Sequence, residues 1–291
     1  MNSVGCNILD IMAKKYDTLS KGQKQIADYI YKNYDKAAFM TASRLGDEVG
    51  ISESTVVRFA SELGYEGYPG FQKVLREMIK SKLTSIQRIE VSNDRIKKEN
   101  ILKSMLLQDI DVIKATLEDI DEKNFNEVVD SILEAKKIYI IGVRSSAHLA
   151  SFLGYYLNLI FDNVVLIYTT AMGEFFEQII KASENDIVIG ISFPRYSRRT
   201  VKAIQYAKVQ GAKSVAITDS IESPLSKYSD YSLIARSGIA SFVDSLVAPL
   251  SVINALIVAI GAKRKEKICE TFEKLEKIWD EYQVYEKNYM Y

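Results

Sequence analysis

Residues 186–200 read DIVIGISFPRYSRRT, an apolar run that empties into two serines, a proline and three arginines. Ile187, Val188, Ile189, Gly190 and Ile191 make a short, β-rich run bounded by polar residues, which reads as a strand buried in a core. The same signature recurs on both sides: KIYIIGV at 137–143, VVLIY at 164–168, SVAITD at 214–219 and YSLIAR at 231–236. Helical stretches separate these runs, including AMGEFFEQIIKAS and SRRTVKAIQYAKVQG. Such alternation predicts a parallel sheet with helices on both faces, an α/β domain. MLLQDIDVIKATLEDI and NFNEVVDSILEA have helical periodicity and belong with this half. The tail, KRKEKICETFEKLEKIWDEYQ, reads as an amphipathic helix with Ile268, Phe272, Leu275 and Trp279 on one side.

In an open parallel sheet, ligands meet the carboxyl ends of the strands and the N-termini of the helices that follow. Two strand exits stand out. In IYIIGVRSSAHLA, Gly142 permits a tight exit, Arg144, Ser145 and Ser146 lead into a helix, and His148 lies one turn inside it. In the opening stretch the corresponding residues are Ser192, Arg195, Ser197 and Arg198. Hydroxyls, backbone N–H groups and guanidinium groups at such places suit an acidic small molecule. Serines at helix starts also serve as plain caps, and arginines beyond strands are commonly solvated. Two such loops on neighbouring strands favour the ligand.

Catalysis and cofactors have little support. His148 is the only histidine, and a ligand hydrogen bond or a structural role suits it better than general base work. One histidine and two distant cysteines, Cys6 and Cys269, make no metal set, and GVRSSA lacks the glycines of a dinucleotide fingerprint. No catalytic residue, metal or cofactor is therefore expected.

The chain has 291 residues, 47% of them hydrophobic, and 38 basic residues balance 38 acidic ones. A zero formal charge supplies no global field, so an anionic partner must be met by a local patch. The N-terminus shows no signal-peptide pattern. LVAPLSVINALIVAIGA, 246–262, is slightly short for a membrane span and contains Pro249 and Asn254, so it reads as a helix buried in a soluble core. A cytoplasmic protein with no membrane partner is expected.

Residues 1–80 read as short helices, 81–104 as a charged linker, and 105–291 as the α/β domain with its C-terminal helix. Within the first part, TASRLGDEVGISESTVVRFASELGY, 41–65, has the spacing of a helix-turn-helix. Gly50 supplies the turn, Gly46 the close helix contact, and Leu45, Val49, Ile51, Val56 and Phe59 the small core. Ser52 sits at the N-cap of the second helix with Glu53 behind it. With Val56 and Phe59 inward, Ser54, Thr55, Val57, Arg58 and Ser61 fall on or near the outward face, where Arg58 can pair with guanine. Arg44, Lys73, Arg76 and Lys80 flank that helix. Residues 1–80 hold eleven basic and ten acidic residues, so composition alone also suits a helical domain that grips another protein.

The run SKGQKQIADYIYKNYDKAAFMTASRLGDEVGISESTVVRFASELGYEGYPGFQKVL, 20–75, resembles the N-terminal domain of the RpiR family of bacterial transcriptional regulators. ISFPRYSRRT, AITDSIESPLSKYSDYSLIA and APLSVINALIVAI resemble the sugar isomerase (SIS) domain that the family joins to it. The resemblance implies an all-α helix-turn-helix domain followed by a doubly wound, parallel-sheet SIS-type α/β sandwich. It further implies a DNA-binding regulator controlled by a phosphorylated sugar or related acidic metabolite. A homodimer or higher homo-oligomer of such chains would read double-stranded DNA at a roughly palindromic operator. The alternative is an SIS-fold sugar-phosphate isomerase with an accessory helical domain. The sugar-phosphate loop of the fold usually follows Ser-x-Ser-Gly-x-Thr, and here Pro194 stands at the second serine, Arg195 at the glycine and Ser197 at the threonine. Arg144 likewise stands where glycine is common, and Gly46 where the family often has alanine.

Overall fold

A computed structural model of the chain describes residues 8–80, 83–93, 100–167 and 172–286. Contacts divide the chain into two compact units. One runs up to Gln108 and adds Gly238–Ser245; the other comprises Asp109–Ser237 and the chain from Leu246 onward.

The first unit is helical. It contains α1 (Ile8–Lys15), α2 (Lys21–Lys32), the single turn α3 (Tyr34–Ala37), α4 (Ala42–Val49), α5 (Glu53–Glu62), α6 (Gly67–Lys80) and α7 (Ser85–Asn93), and the start of α8 (Ile101–Glu118). Helix α2 begins with a capping box: the Gln23 N–H donates to Ser20 Oγ, and the Ser20 N–H donates to Gln23 Oε1 at 2.9 Å. Ile26, Ile30, Leu45, Val56, Phe59, Phe71 and Leu75 recur at helical spacing and close on one core. The Tyr68 hydroxyl donates to the Met40 carbonyl at 2.9 Å, and burial pushes its pKa up to about 12.

Residues 85–93, within the stretch read as a linker, form α7 and pack with Gly238–Ser245. That segment is a two-stranded antiparallel hairpin, Gly238–Ile239 against Asp244–Ser245. Ile239 joins the helical core, Gln108 Nε2 donates to its carbonyl at 3.1 Å, and Ser92 and Ser241 share a hydrogen bond of 3.0 Å. Arg88 on α7, only 2% exposed, donates from Nη1 to Asp244 Oδ1 at 2.6 Å. The sequence pattern runs directly from the last sheet strand to the long apolar helix and shows no hairpin.

The second unit carries a five-stranded parallel sheet: β1 (Lys137–Gly142), β2 (Val164–Ile167), β3 (Asp186–Ile191), β4 (Lys213–Thr218) and β5 (Tyr231–Ile234), in the order β2-β1-β3-β4-β5. The two strands of the hairpin are β6 and β7. On one face, α9 (Glu122–Glu134), α10 (Ser145–Asn158) and α13 (Val247–Lys263) cover Ile138, Ile140, Ile187, Ile189, Val215 and Ile217. On the other, α11 (Met172–Ile179) and α12 (Arg198–Val209) cover Tyr139, Ile141, Val188 and Ala216. The period-two alternation of one strand thus feeds two cores, which is why the strands read as continuously apolar. α13 sits within the first of those cores, and no single described helix is long and apolar enough to cross a membrane. α14 (Lys265–Glu281) follows it and has no fully buried residue.

Candidate functional site

The two helices of the predicted motif are α4 and α5. Thr41 Oγ1 caps α4 by accepting from the Arg44 N–H at 3.2 Å, and Gly50, at φ 72°, ends it in the left-handed conformation that glycine adopts without strain. The Ile51 N–H returns to the Gly46 carbonyl at 2.8 Å. A Cβ on Gly46 would lie 2.5 Å from the Ile51 carbonyl oxygen, so the turn requires glycine here.

On α5, Val56 and Phe59 are buried, while Ser52, Glu53, Ser54, Val57, Arg58 and Ser61 are exposed and Thr55 is half-buried. This is the outward face read from the spacing. Ser52 occupies the N-cap position, but its hydroxyl does not cap the helix; it bonds to the Ser54 and Thr55 hydroxyls at 3.1 and 2.9 Å. Three hydroxyls thereby cluster over the start of α5. Arg58 lies back along the helix, donating from Nε to the Ser54 carbonyl at 3.3 Å and from Nη2 to Ser54 Oγ at 3.4 Å. These bonds are long and exposed, so the guanidinium can leave them at little cost. Of the flanking cations, Arg44 and Lys73 are exposed, and the Lys80 side chain lies outside the described residues. Arg76 is committed internally: it donates to the Ala38 carbonyl at 2.9 Å and packs over Phe39, and burial lowers its pKa.

The other candidate residues gather at the carboxyl ends of β1 and β3. Gly142 is in register with Ile191, so the exits 143–146 and 192–197 leave the sheet side by side. This is also where the strand order changes direction, the crevice that such sheets offer to ligands. Gly142 serves packing: a Cβ there would lie 2.3 Å from the Ser146 carbonyl oxygen. Ser146 and Ser192 are buried; Arg144, Ser145, His148, Arg195 and Arg198 are exposed. The Ser197 N–H donates to Ser192 Oγ at 3.0 Å, and Ser197 Oγ caps α12 by accepting from the Thr200 N–H. Both serines therefore shape the loop, and their hydroxyl protons still face a choice of acceptor.

Arg144 and Arg195 both have positive φ, 59° and 67°, a conformation costly for any residue but glycine. They are two of only three such non-glycine residues among those described, the third being Gln283. Tyr196 and Asp219 were not legible as site residues. The Tyr196 hydroxyl donates to Asp219 Oδ1 at 2.9 Å, and this carboxylate, 2% exposed just beyond β4, anchors the 192–197 loop against the neighbouring strand. The Thr-Asp pair ending an apolar strand was its only sequence signal.

Two family models match the chain. One, described as "Helix-turn-helix domain, rpiR family", covers residues 6–82, and the other, described as "SIS domain", covers 131–259. The chain thus joins a helix-turn-helix of the rpiR type to an SIS domain. Relatives of similar length include an uncharacterised HTH-type transcriptional regulator of Clostridium perfringens (strain 13 / Type A), 28% identical over 88% of this chain and 91% of that one. HexR, an HTH-type transcriptional regulator of Escherichia coli (strain K12), is 24% identical over 92% and 93%. Among solved structures, the sugar isomerase domain of an RpiR transcription factor from Sphaerobacter thermophilus superposes with a TM-score of 0.57 at 26% identity, covering 59% of this chain and 96% of that one. Vibrio vulnificus NanR, solved with ManNAc-6P, has the same fold, with a TM-score of 0.55 at 22% identity over 94% and 98%. The chain is a transcriptional regulator with a helix-turn-helix and an SIS domain.

Proposed function

We propose that the chain is a cytoplasmic, homodimeric regulator whose operator affinity is set by a small acidic metabolite in the SIS crevice. α5 enters the major groove with Ser54, Thr55, Val57, Arg58 and Ser61, while Arg44 and the hydroxyl cluster around Ser52 meet phosphates. Two copies read the halves of a roughly palindromic double-stranded site. The metabolite is phosphosugar-like in its charge, in keeping with the ManNAc-6P bound by NanR. It is held between Arg144, Ser145 and Ser146 on one side and Ser192, Arg195, Ser197 and Arg198 on the other.

The observation that carries this reading is the pair of arginines held at φ 59° and 67° on adjacent strand exits. Glycine would satisfy that backbone without strain, and a sequence that keeps arginine there twice accepts a cost of about 1–3 kcal/mol each in return for two guanidinium groups at the crevice. The ligand's anionic group is accordingly met by side-chain charge, where a glycine loop offers backbone N–H groups alone. The protein senses and does not turn over its ligand.

The test is isothermal calorimetry with a panel of sugar phosphates and sugar acids, on the parent and on Arg195→Gly. Glycine adopts φ 67° freely, so this substitution removes the charge and leaves the loop unstrained. Affinity for the binding metabolite should fall by roughly 1.5–3 kcal/mol, the range of a charge-assisted hydrogen bond. Unchanged affinity would remove Arg195 from the site, and turnover of any panel member would favour an isomerase.

A further inference from the structure

Helix α5 carries a stripe of short side chains on its outward side. Ser54, Val57 and Ser61 follow one another at steps of three and four residues and so line one face of the helix. Among the described residues of α5, Val57 is the only exposed apolar side chain, at 37%. Val56, Phe59 and Ala60 are buried, and the other exposed residues, Glu53, Ser54, Arg58, Ser61 and Glu62, are polar.

The groups flanking Val57 are engaged within the helical unit. Ser61 Oγ donates to the Val57 carbonyl at 3.3 Å, and Ser54 Oγ accepts from Arg58 Nη2. The Thr55 methyl faces α2, where a Cβ on Gly22 would lie 3.7 Å from it. The two Val57 methyls are therefore the apolar group that α5 offers outward, at the centre of the stripe, and branching at Cβ holds them in one place. A valine makes no hydrogen bond. Set against a donor or acceptor on a base edge, it removes water from that group and returns nothing. The major groove presents donors, acceptors and one apolar group, the 5-methyl of thymine. A side chain this short touches only a base close to the helix backbone, and serines on either side leave room for that approach.

We infer that Val57 selects a thymine in the operator by packing its methyls on the 5-methyl group of that base. The inference rests on α5 as the reading helix and adds the base that the centre of its stripe requires. Adenine, guanine and cytosine lack the methyl, and each would leave a donor or acceptor dry against the valine. Arg58, one residue on, reads by hydrogen bonds, so the two neighbours discriminate by different chemistry and can be separated by experiment.

Removing the methyl while keeping the base sequence tests it. Fluorescence anisotropy of the full chain compares the duplex upstream of the gene with the same duplex carrying uracil for every thymine, a change that deletes only the 5-methyl groups. The parent should bind the uracil duplex roughly fourfold more weakly for each methyl contacted. Val57→Ala should bind the thymine duplex more weakly than the parent and no longer distinguish the two duplexes. Val57→Thr, which keeps one methyl, should fall between them. Arg58→Ala should be weaker on both duplexes yet keep the parent's ratio, because its contact is separate. A parent ratio of one would overturn the thymine contact, and so would an equal ratio in parent and Val57→Ala, which would assign the effect to DNA shape. In either case a loss of affinity in Arg58→Ala would leave α5 in place as the reading helix. Unchanged affinity of both Arg58→Ala and Val57→Ala for the thymine duplex would overturn the reading helix and the thymine contact together.

Discussion

At the scale of single residues, three backbone positions decide how much chemistry this chain can do. Gly46 lets the two helices of the motif touch, and the carbonyl that blocks any Cβ there belongs to the turn itself. Gly46→Ala should gain about 1 kcal/mol of helix propensity and lose more than that by shifting the Ile51 peptide. A net loss of about 1–2 kcal/mol in urea denaturation is expected, with specific DNA binding weakened in parallel. A more stable variant would mean that the turn relaxes freely. Arg144 and Arg195 make the opposite case: glycine positions by conformation, held by arginines. Their strain is set against a loop held by Ser192 Oγ and by the Tyr196 to Asp219 bond.

At the scale of elements, the sheet is secured below the crevice as well as at it. Asp230, just before β5, accepts from the Ser214 N–H at 2.9 Å, from the Ser214 hydroxyl at 2.7 Å and from Lys208 of α12 at 2.9 Å. Burial alone would raise this carboxyl, but the Ser214 and Lys208 bonds outweigh it and hold its pKa below the usual value. A carboxylate with a depressed pKa in the folded state stabilises fully above its unfolded pKa, and that stability is lost as pH falls through the folded value. Stability should therefore drop on acidification below about pH 4, where the unfolded carboxylate starts to take up protons. Asp230→Asn should be less stable at neutral pH and show a flatter pH dependence in that acid window, as chemical denaturation at a series of pH values would reveal. Identical slopes for both proteins would assign the acid sensitivity to other carboxylates.

At the scale of the whole molecule, the parts legible in the sequence are those whose signal is periodic. Strands such as 137–142 and 186–191 show an unbroken apolar run because both faces are covered, and α5 shows its outward face because Val56 and Phe59 fix the inward one. The hairpin was not legible: its strands have two residues each, below the length at which alternation registers, and Ile239 is a single apolar residue entering a core more than a hundred positions away in sequence. The Arg88 to Asp244 pair was hidden for the same reason, since neither charge has a local partner in the pattern. Arg76 shows the converse, a flanking cation by sequence that the fold uses to satisfy a carbonyl. Conformation at Arg144 and Arg195 could be inferred only through the resemblance, because nothing local marks an arginine for positive φ.

DNA recognition, on which regulation depends, rests on α5 as a reading helix. Fluorescence anisotropy should be measured on the duplex upstream of the gene and on a scrambled duplex of equal length, over a salt series, for the parent and for Arg58→Ala. The parent should prefer its own site, with affinity falling as salt rises, and Arg58→Ala should lose about 1–3 kcal/mol on that site while its binding to the scrambled duplex changes little. Equal affinity of parent and variant for the upstream duplex, or no preference for it by either, would contradict the account.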